Sequence, residues 1–249
     1  MANEPIYRYP PLVAGTLVRR YKRFLAEVAL ESGETVVAHC PNTGPMTGIS
    51  TPGQPVRLSY STNPRRKLAY TWELIWVADA QPTWVGVNTS LPNRIVKLAL
   101  QQGCLPKLAP YSDRIRSEVA YGRQSRADFV LGGDGDAPLY LEVKSTTWTQ
   151  QDVALFPDTV TQRGQKHLRE LMAVGSGAQA AILYFINRGD CPKFAPGDRA
   201  DPAYGELLRA AHERGVWVLP YRFDIAPEGI RYLGRASFQP SQPPLPQKR

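Results

Sequence analysis

The sequence predicts a two-part α+β chain, an OB-like β-barrel followed by an α/β domain, and three observations carry that reading. From about Leu12 to Val87 it consists of short β-branched or aromatic runs with few helical patterns. From Leu91 strands and helices alternate, as in an α/β domain. Between Glu118 and Lys144 a hairpin-like pattern carries more ionisable residues than a structural hairpin requires. The expected boundaries are 1–90 for the barrel, 91–238 for the α/β domain and 239–249 for a proline-rich, disordered tail.

In the first part, Val13–Val28, Thr35–His39, Pro55–Ser59, Ala69–Val77 and Thr83–Val87 read as strands. Turn signals separate them: Ser32-Gly33, Asn42-Thr43-Gly44, Thr51-Pro52-Gly53, Asn63-Pro64 and Gln81-Pro82. Such spacing suits a small barrel of the oligonucleotide-binding type. The string Arg19, Arg20, Tyr21, Lys22, Arg23, Phe24 interleaves cations with aromatics, as a strand that grips phosphates and stacks bases would. Equally, Tyr21 and Phe24 fill the barrel core while the cations face water. Arg65, Arg66 and Lys67 add a second basic cluster on a loop. His39 and Cys40 are adjacent on a strand and point to opposite faces, which argues against a catalytic dyad. The turn at Pro41–Gly44 reads as a strand connection rather than a phosphate cradle.

In the second part, Pro92 near the start and Gly103 past the end punctuate a helix over Asn93–Gln102. Asp128-Phe129-Val130-Leu131, a Gly/Asp-rich loop, and Leu139–Lys144 read as a β-hairpin. Thr161–Val174 is a threonine-capped helix with Leu168, Leu171 and Met172 as its buried stripe, and His167 on an exposed face. Ala178–Ile186 is a buried strand, Ala203–Arg214 a helix closed by Gly215, and Val216–Phe223 another strand.

The hairpin carries the chemistry. If its pairing centres on Gly135, Asp128 lies opposite Glu142, and opposed side chains stand about 5 Å apart on one face. Lys144 joins that face, while Leu141 and Val143 point into a core. Two opposed carboxylates repel, and a divalent cation removes the conflict. Lys144 could then orient water or stabilise charge on a phosphate. A bland alternative is a strand face neutralised by Lys144.

Composition narrows the function classes. Hydrophobic content of 43% and charged content of 21% are those of a globular protein. No apolar stretch is long enough to span a membrane, and the first residues lack the apolar core of a signal peptide. Cys40, Cys104 and Cys191 show no metal-site spacing and suit free thiols in a reducing cytoplasm. A net charge of +8 favours a polyanionic partner, and basic residues concentrate between Arg94 and Arg126. An oligosaccharide-binding barrel, suggested by Trp72, Trp76 and Trp84, would leave that charge and the second domain unexplained.

Several strings resemble the sugar fermentation stimulation protein (SfsA) family over nearly the whole chain. They include Arg20–Leu25, His39–Gly44, Thr71–Leu74, Ser117-Glu118-Val119, Ser125–Phe129, Glu142–Ser145, and Phe156-Pro157-Asp158 running into Thr161–Met172. The resemblance implies a barrel followed by a PD-(D/E)xK nuclease-like α/β domain, DNA binding, and a regulatory link to sugar metabolism. It places the acidic positions at Glu118, Asp128 and Glu142, with Lys144 in the third motif and Gln165 and Lys166 as polar positions on the following helix. Ala127 stands where the motif has proline, which leaves the ligands untouched. The implied cofactor is Mg²⁺ or Mn²⁺, held by Asp128, Glu142 and Glu118. The expected DNA contacts are Arg19, Arg20, Tyr21, Lys22, Arg23, Arg65, Arg66, Lys67 and Arg126. Association into a homo-oligomer is left open.

Overall fold

The computed structural model describes residues 4–78, 81–121, 125–132, 137–175 and 177–244, with Ser125 described by its backbone alone. The expected hairpin turn at Gly133–Asp136, the basic Arg123 and the last five residues lie outside the described residues.

The first half is a closed barrel. Strands β1 (Leu12–Tyr21), β2 (Leu25–Leu30), β3 (Thr35–His39), β4 (Pro55–Tyr60) and β5 (Tyr70–Val77) pair in the order β3-β2-β1-β4-β5. A parallel β3–β5 pairing, Ala38 to Tyr70 and His39 to Thr71, shuts the ring. β6 (Thr83–Gly86) adds to the β5 edge. Alternation puts Leu17, Val28, Val36, Val56, Leu58, Trp72 and Ile75 inside. Gly15 is required where β1 crosses β2, because a Cβ there would meet Val28 at 2.6 Å and the Ala29 carbonyl at 2.8 Å.

One expected strand divides. The run Val13–Val28 is a hairpin, with Tyr21 paired to Leu25 and a three-residue loop of Lys22, Arg23 and Phe24. Lys22 (φ 49°) and Arg23 (φ 66°) adopt the left-handed conformation that brings the chain back on itself. The basic-aromatic string is therefore a hairpin tip, and Phe24 is 47% exposed rather than core.

The second half is built on a six-stranded sheet. It comprises β7 (Ile115–Tyr121), β8 (Ser125–Leu131), β9 (Leu139–Thr146), β12 (Gln179–Ile186), β14 (Trp217–Ala226) and β15 (Gly229–Arg235), in the order β15-β14-β12-β9-β8-β7. The three central strands are parallel, and β12 is buried on both faces, as the unbroken apolar run 180–186 requires. Helices α2 (Gln162–Met172) and α3 (Pro202–Glu213) are the crossovers and cover one face with Leu168, Leu171, Tyr204 and Leu208. The other face packs on α1 (Leu91–Gln101) through Ile95, Val96 and Ala99, and also takes Leu74 of the barrel and Ile6. Side chains cap both crossover helices: Thr161 Oγ1 accepts from Gly164 N, and Asp201 Oδ1 from Tyr204 N.

A small third sheet joins β10 (Thr149–Gln150), β11 (Val153–Phe156), β13 (Lys193–Pro196) and β16 (Ser237–Phe238). Here the expectation of a tail disordered from Gln239 fails. Gln242 N donates to Asp198 Oδ2 and Arg209 to the Pro240 carbonyl, so residues 239–244 are tied to α3 and its approach. Proline's missing donors do not prevent its carbonyls from accepting. Among the described residues no helix is long and apolar enough to cross a membrane.

Candidate functional site

The β8–β9 ladder pairs Phe129 with Leu141, Val130 with Tyr140 and Leu131 with Leu139. Extended by one residue, this register sets Asp128 across from Glu142. The strands diverge there, and the Asp128 carboxylate replaces a strand carbonyl: Oδ2 accepts from Val143 N at 2.7 Å, while Oδ1 accepts from Asn93 Nδ2 of α1 at 2.8 Å. Burial, followed by repulsion from Glu142, raises the Asp128 pKa above the usual carboxylate value.

Glu142 is 3% exposed, and its oxygens are in unlike surroundings. Oε1 accepts from Lys144 Nζ at 2.6 Å and contacts His167 Nδ1, whereas Oε2 is buried with no partner among the described residues. Burial alone would raise the Glu142 pKa, but the hydrogen bond with His167 and the Lys144 ammonium hold it below its ordinary value. Arg163 Nε donates to His167 Nε2 at 3.4 Å, which fits an imidazole carrying its proton on Nδ1, toward Glu142.

His167 is therefore buried in the site, contrary to the expected exposed helix face. Gln165 and Lys166, expected there, turn elsewhere. Gln165 Nε2 donates to both oxygens of Asp201, and Lys166 lies 3.7 Å from Glu170 on an exposed face. The reason is helical phase. The buried stripe of α2 is Gly164, His167, Leu168 and Leu171, and 165 and 166 fall off it. That spacing was present in the sequence and is the signal that could have found His167.

Glu118 falls across from Asp128, between the pairs Ser117–Phe129 and Val119–Ala127. It is exposed and has φ of 55°, a left-handed conformation in mid-strand that costs a non-glycine residue about 1–2 kcal/mol. Among the described residues no group of three or more His, Cys, Asp or Glu side chains stands ready to hold a metal. The register sets Asp128 opposite Glu142 as expected, whereas among the described residues Glu118, expected as a third ligand, joins no such group with them.

On the barrel, the expected DNA contacts divide. Arg20 Nη2 donates to the carbonyls of Arg23, Asn42 and Gly44, which makes it a clamp across two loops. Arg19 pairs with Glu27, Arg23 donates to the Thr43 carbonyl, and Arg66 to Thr71 Oγ1. Lys22, Arg65, Lys67 and Arg126 are exposed, and Tyr21 is half-buried. Phe24, His39, Arg66 and Lys67 line one open groove. Trp72 is fully buried and donates to the Leu74 carbonyl, so it offers no sugar-stacking surface.

Two family models match this architecture, "SfsA N-terminal OB domain" over residues 18–87 and "Sugar fermentation stimulation protein RE domain" over residues 90–229. The chain belongs to the sugar fermentation stimulation protein family. A sugar fermentation stimulation protein homolog of Cyanothece sp. is 64% identical over 234 residues, covering 94% of this chain and 98% of that one. Another, from Acaryochloris marina, is 62% identical over 237 residues, covering 95% and 97%. The solved structure of Pyrococcus furiosus SfsA in complex with Ca²⁺ shares the fold with a TM-score of 0.83 at 24% identity, covering 95% of this chain and 99% of that one.

Proposed function

We propose that this SfsA-family chain binds DNA largely through charge and carries, in its second half, a divalent-cation centre of the PD-(D/E)xK nuclease type. One observation carries the reading. Asp128 and Glu142 face each other at the mouth of the β8–β9 pair, and one Glu142 oxygen is buried with no partner among the described residues. Leaving such an oxygen unmatched costs about 1–3 kcal/mol, more when it is charged. Hard cations suit the donor set: Mg²⁺ is held by one or two carboxylates, with water and phosphate completing its shell. The Pyrococcus furiosus relative was solved in complex with Ca²⁺, another oxygen-seeking cation, which supports a cation site on this fold.

When bound, the cation would lower the pKa of a water molecule and offset charge on a phosphate. The chain's own residues prepare the place. Asn93 and the Val143 amide fix Asp128, and Lys144 with His167 fixes Glu142 by Oε1, which leaves Oε2 to the cation. Lys144 is 14% exposed, close enough to solvent to hold a phosphate oxygen or a water. Lys22, Arg65 and Lys67 of the barrel, and the exposed Phe24 ring, would take phosphates and a base.

Hydrolysis of phosphodiester bonds is the second reading, favoured by the Lys144 ammonium beside the carboxylate pair. Purified protein is incubated with supercoiled and single-stranded DNA in Mg²⁺, Mn²⁺ or EDTA, with Mn²⁺ binding measured by calorimetry. Mn²⁺ binding without cleavage leaves a DNA-binding protein with a cation centre. Absence of Mn²⁺ and Mg²⁺ binding removes the centre.

A further inference from the structure

One step along β9 from Glu142, on the same face, Tyr140 opens a groove that the site described above does not use. It has a volume of about 780 Å³ and runs between the start of β9 and the last turn of α2, lined by Tyr121, Tyr140, Lys166, Arg169, Glu170 and Val174. That size is in the range of small-molecule sites. The Tyr121 and Tyr140 rings pack with centroids 5.4 Å apart and planes 32° apart, an aromatic wall. Of the side chains that line it, Tyr121 and Glu170 each also hold one polar atom, Oη and Oε2, buried with no partner among the described residues. Burial, and then Glu142, Glu170 and Asp128, push the Tyr121 hydroxyl upward. Tyr140 stands two residues from Glu142 on β9, which sets the groove beside the acidic pair. Lys166, 47% exposed, and the exposed Arg169 set positive charge on its lip.

We propose that this groove seats one unpaired nucleobase of a single strand, beside the phosphate that the acidic centre addresses. The inference rests on the nucleic-acid reading above and adds the form of the substrate. A stacking wall accepts any base, because every base has a π-face. Each base edge also offers a donor beside an acceptor. Tyr121 and Glu170, which line the groove, set a phenol and a carboxylate beside that edge. Lys166 and Arg169 meet the flanking phosphates.

The test is photo-cross-linking of the full chain, in EDTA, to a short single strand carrying 5-iodouracil, with the attachment site mapped by mass spectrometry. Attachment at Tyr121 or Tyr140 is the expected result. Cross-links confined to Phe24, Tyr21 or other barrel residues, or none at all on a strand that binds, would overturn the groove. A Tyr140→Leu variant should weaken single-strand binding about tenfold, in the range of one lost stacked base, and leave duplex binding unchanged. An equal loss for both DNA forms counts against the proposal. Because EDTA removes any cation, the two readings fail separately. Mn²⁺ binding without tyrosine attachment sinks the groove alone, and tyrosine attachment without Mn²⁺ binding sinks the centre alone.

Discussion

Asp128→Asn gives the sharpest test of the centre, because the substitution preserves shape and changes charge. In the wild type the carboxylate accepts two hydrogen bonds, from Asn93 Nδ2 and Val143 N. An asparagine keeps both contacts if its oxygen stays on Val143 N and the Asn93 amide rotates to accept from its new NH₂. Each bond then falls from the charged range, about 1.5–3 kcal/mol, to the neutral range, about 0.5–1.5 kcal/mol. Against that loss stands relief of a buried carboxylate repelled by Glu142, the causes that raise its pKa. The two changes oppose each other, so the variant should fold. The informative quantity is the cation-induced shift within each protein. A cation at 100 times its Kd stabilises the native state by about 2.7 kcal/mol. At about 2–4 °C per kcal/mol for a chain of this size, the wild-type Tm should rise by about 5–11 °C on going from EDTA to Mn²⁺. The variant should not move. Thermal unfolding followed by circular dichroism reads both. An equal rise in the two proteins would refute the role of Asp128, and a flat wild type across millimolar Mn²⁺ would refute the centre.

Three further outcomes are expected. Replacing Lys22, Arg65 and Lys67 together with alanine should lower the slope of log affinity for single-stranded DNA against log salt by about 2, since each phosphate contact contributes about 0.7; fluorescence anisotropy across a salt series checks this, and an unchanged slope places the DNA elsewhere. Asp190→Ala should cost about 3–5 kcal/mol in urea unfolding, because it removes the carboxylate that both pairs with Arg188, 1% exposed, and accepts from it at 2.7 Å through each oxygen; a loss below 1 kcal/mol counts against it. Glu73 has its pKa raised chiefly by burial, so its folded form holds a proton more tightly than the unfolded chain does, and its ionisation erodes stability as pH rises through the folded pKa. Glu73→Gln should therefore compare best with wild type at pH 7 and lose ground as pH falls toward the ordinary carboxylate value in urea titrations; the opposite trend refutes the assignment.

The centre of the hairpin was legible because register follows from pairing symmetry. Apolar runs on either side of a Gly/Asp loop fix which residues oppose, and Asp128 meets Glu142 as that symmetry requires. Helix phase was harder to read. Leu168 and Leu171 were recognised as a stripe, but a histidine was read as a surface residue, although 164, 167, 168 and 171 form one continuous face. Residue type outweighed spacing there. The barrel hairpin was missed for a related reason. Lys22 and Arg23 hold left-handed φ without glycine or asparagine to announce a turn, and Arg20 binds the Arg23 carbonyl across it. Its stabilising contacts come from residues 42 and 44, more than 20 positions away, beyond any local pattern.

The two halves meet at the acidic pair through a series of polar contacts that are half-buried or buried. Glu73 of β5 accepts from Ser59 and from Asn88, and Asn88 Oδ1 accepts from both the amide and hydroxyl of Ser90, just ahead of α1. Two residues into α1, Asn93 holds Asp128. The segment ahead of β1 crosses in the other direction, with Ile6 N on the Ile230 carbonyl and Ile230 N on the Tyr7 carbonyl. Leu74 of the barrel lies in the same core as Val143 and Leu141, directly behind Glu142. A barrel that merely tethered DNA would not need to reach so far into the second core. Here the strand that closes the barrel also sets the helix that orients a carboxylate of the centre. Under the proposed reading, phosphate contacts on the barrel and the geometry at Asp128 would share one path, β5 to α1, and a strand held by the first half would be presented to the second at a set distance.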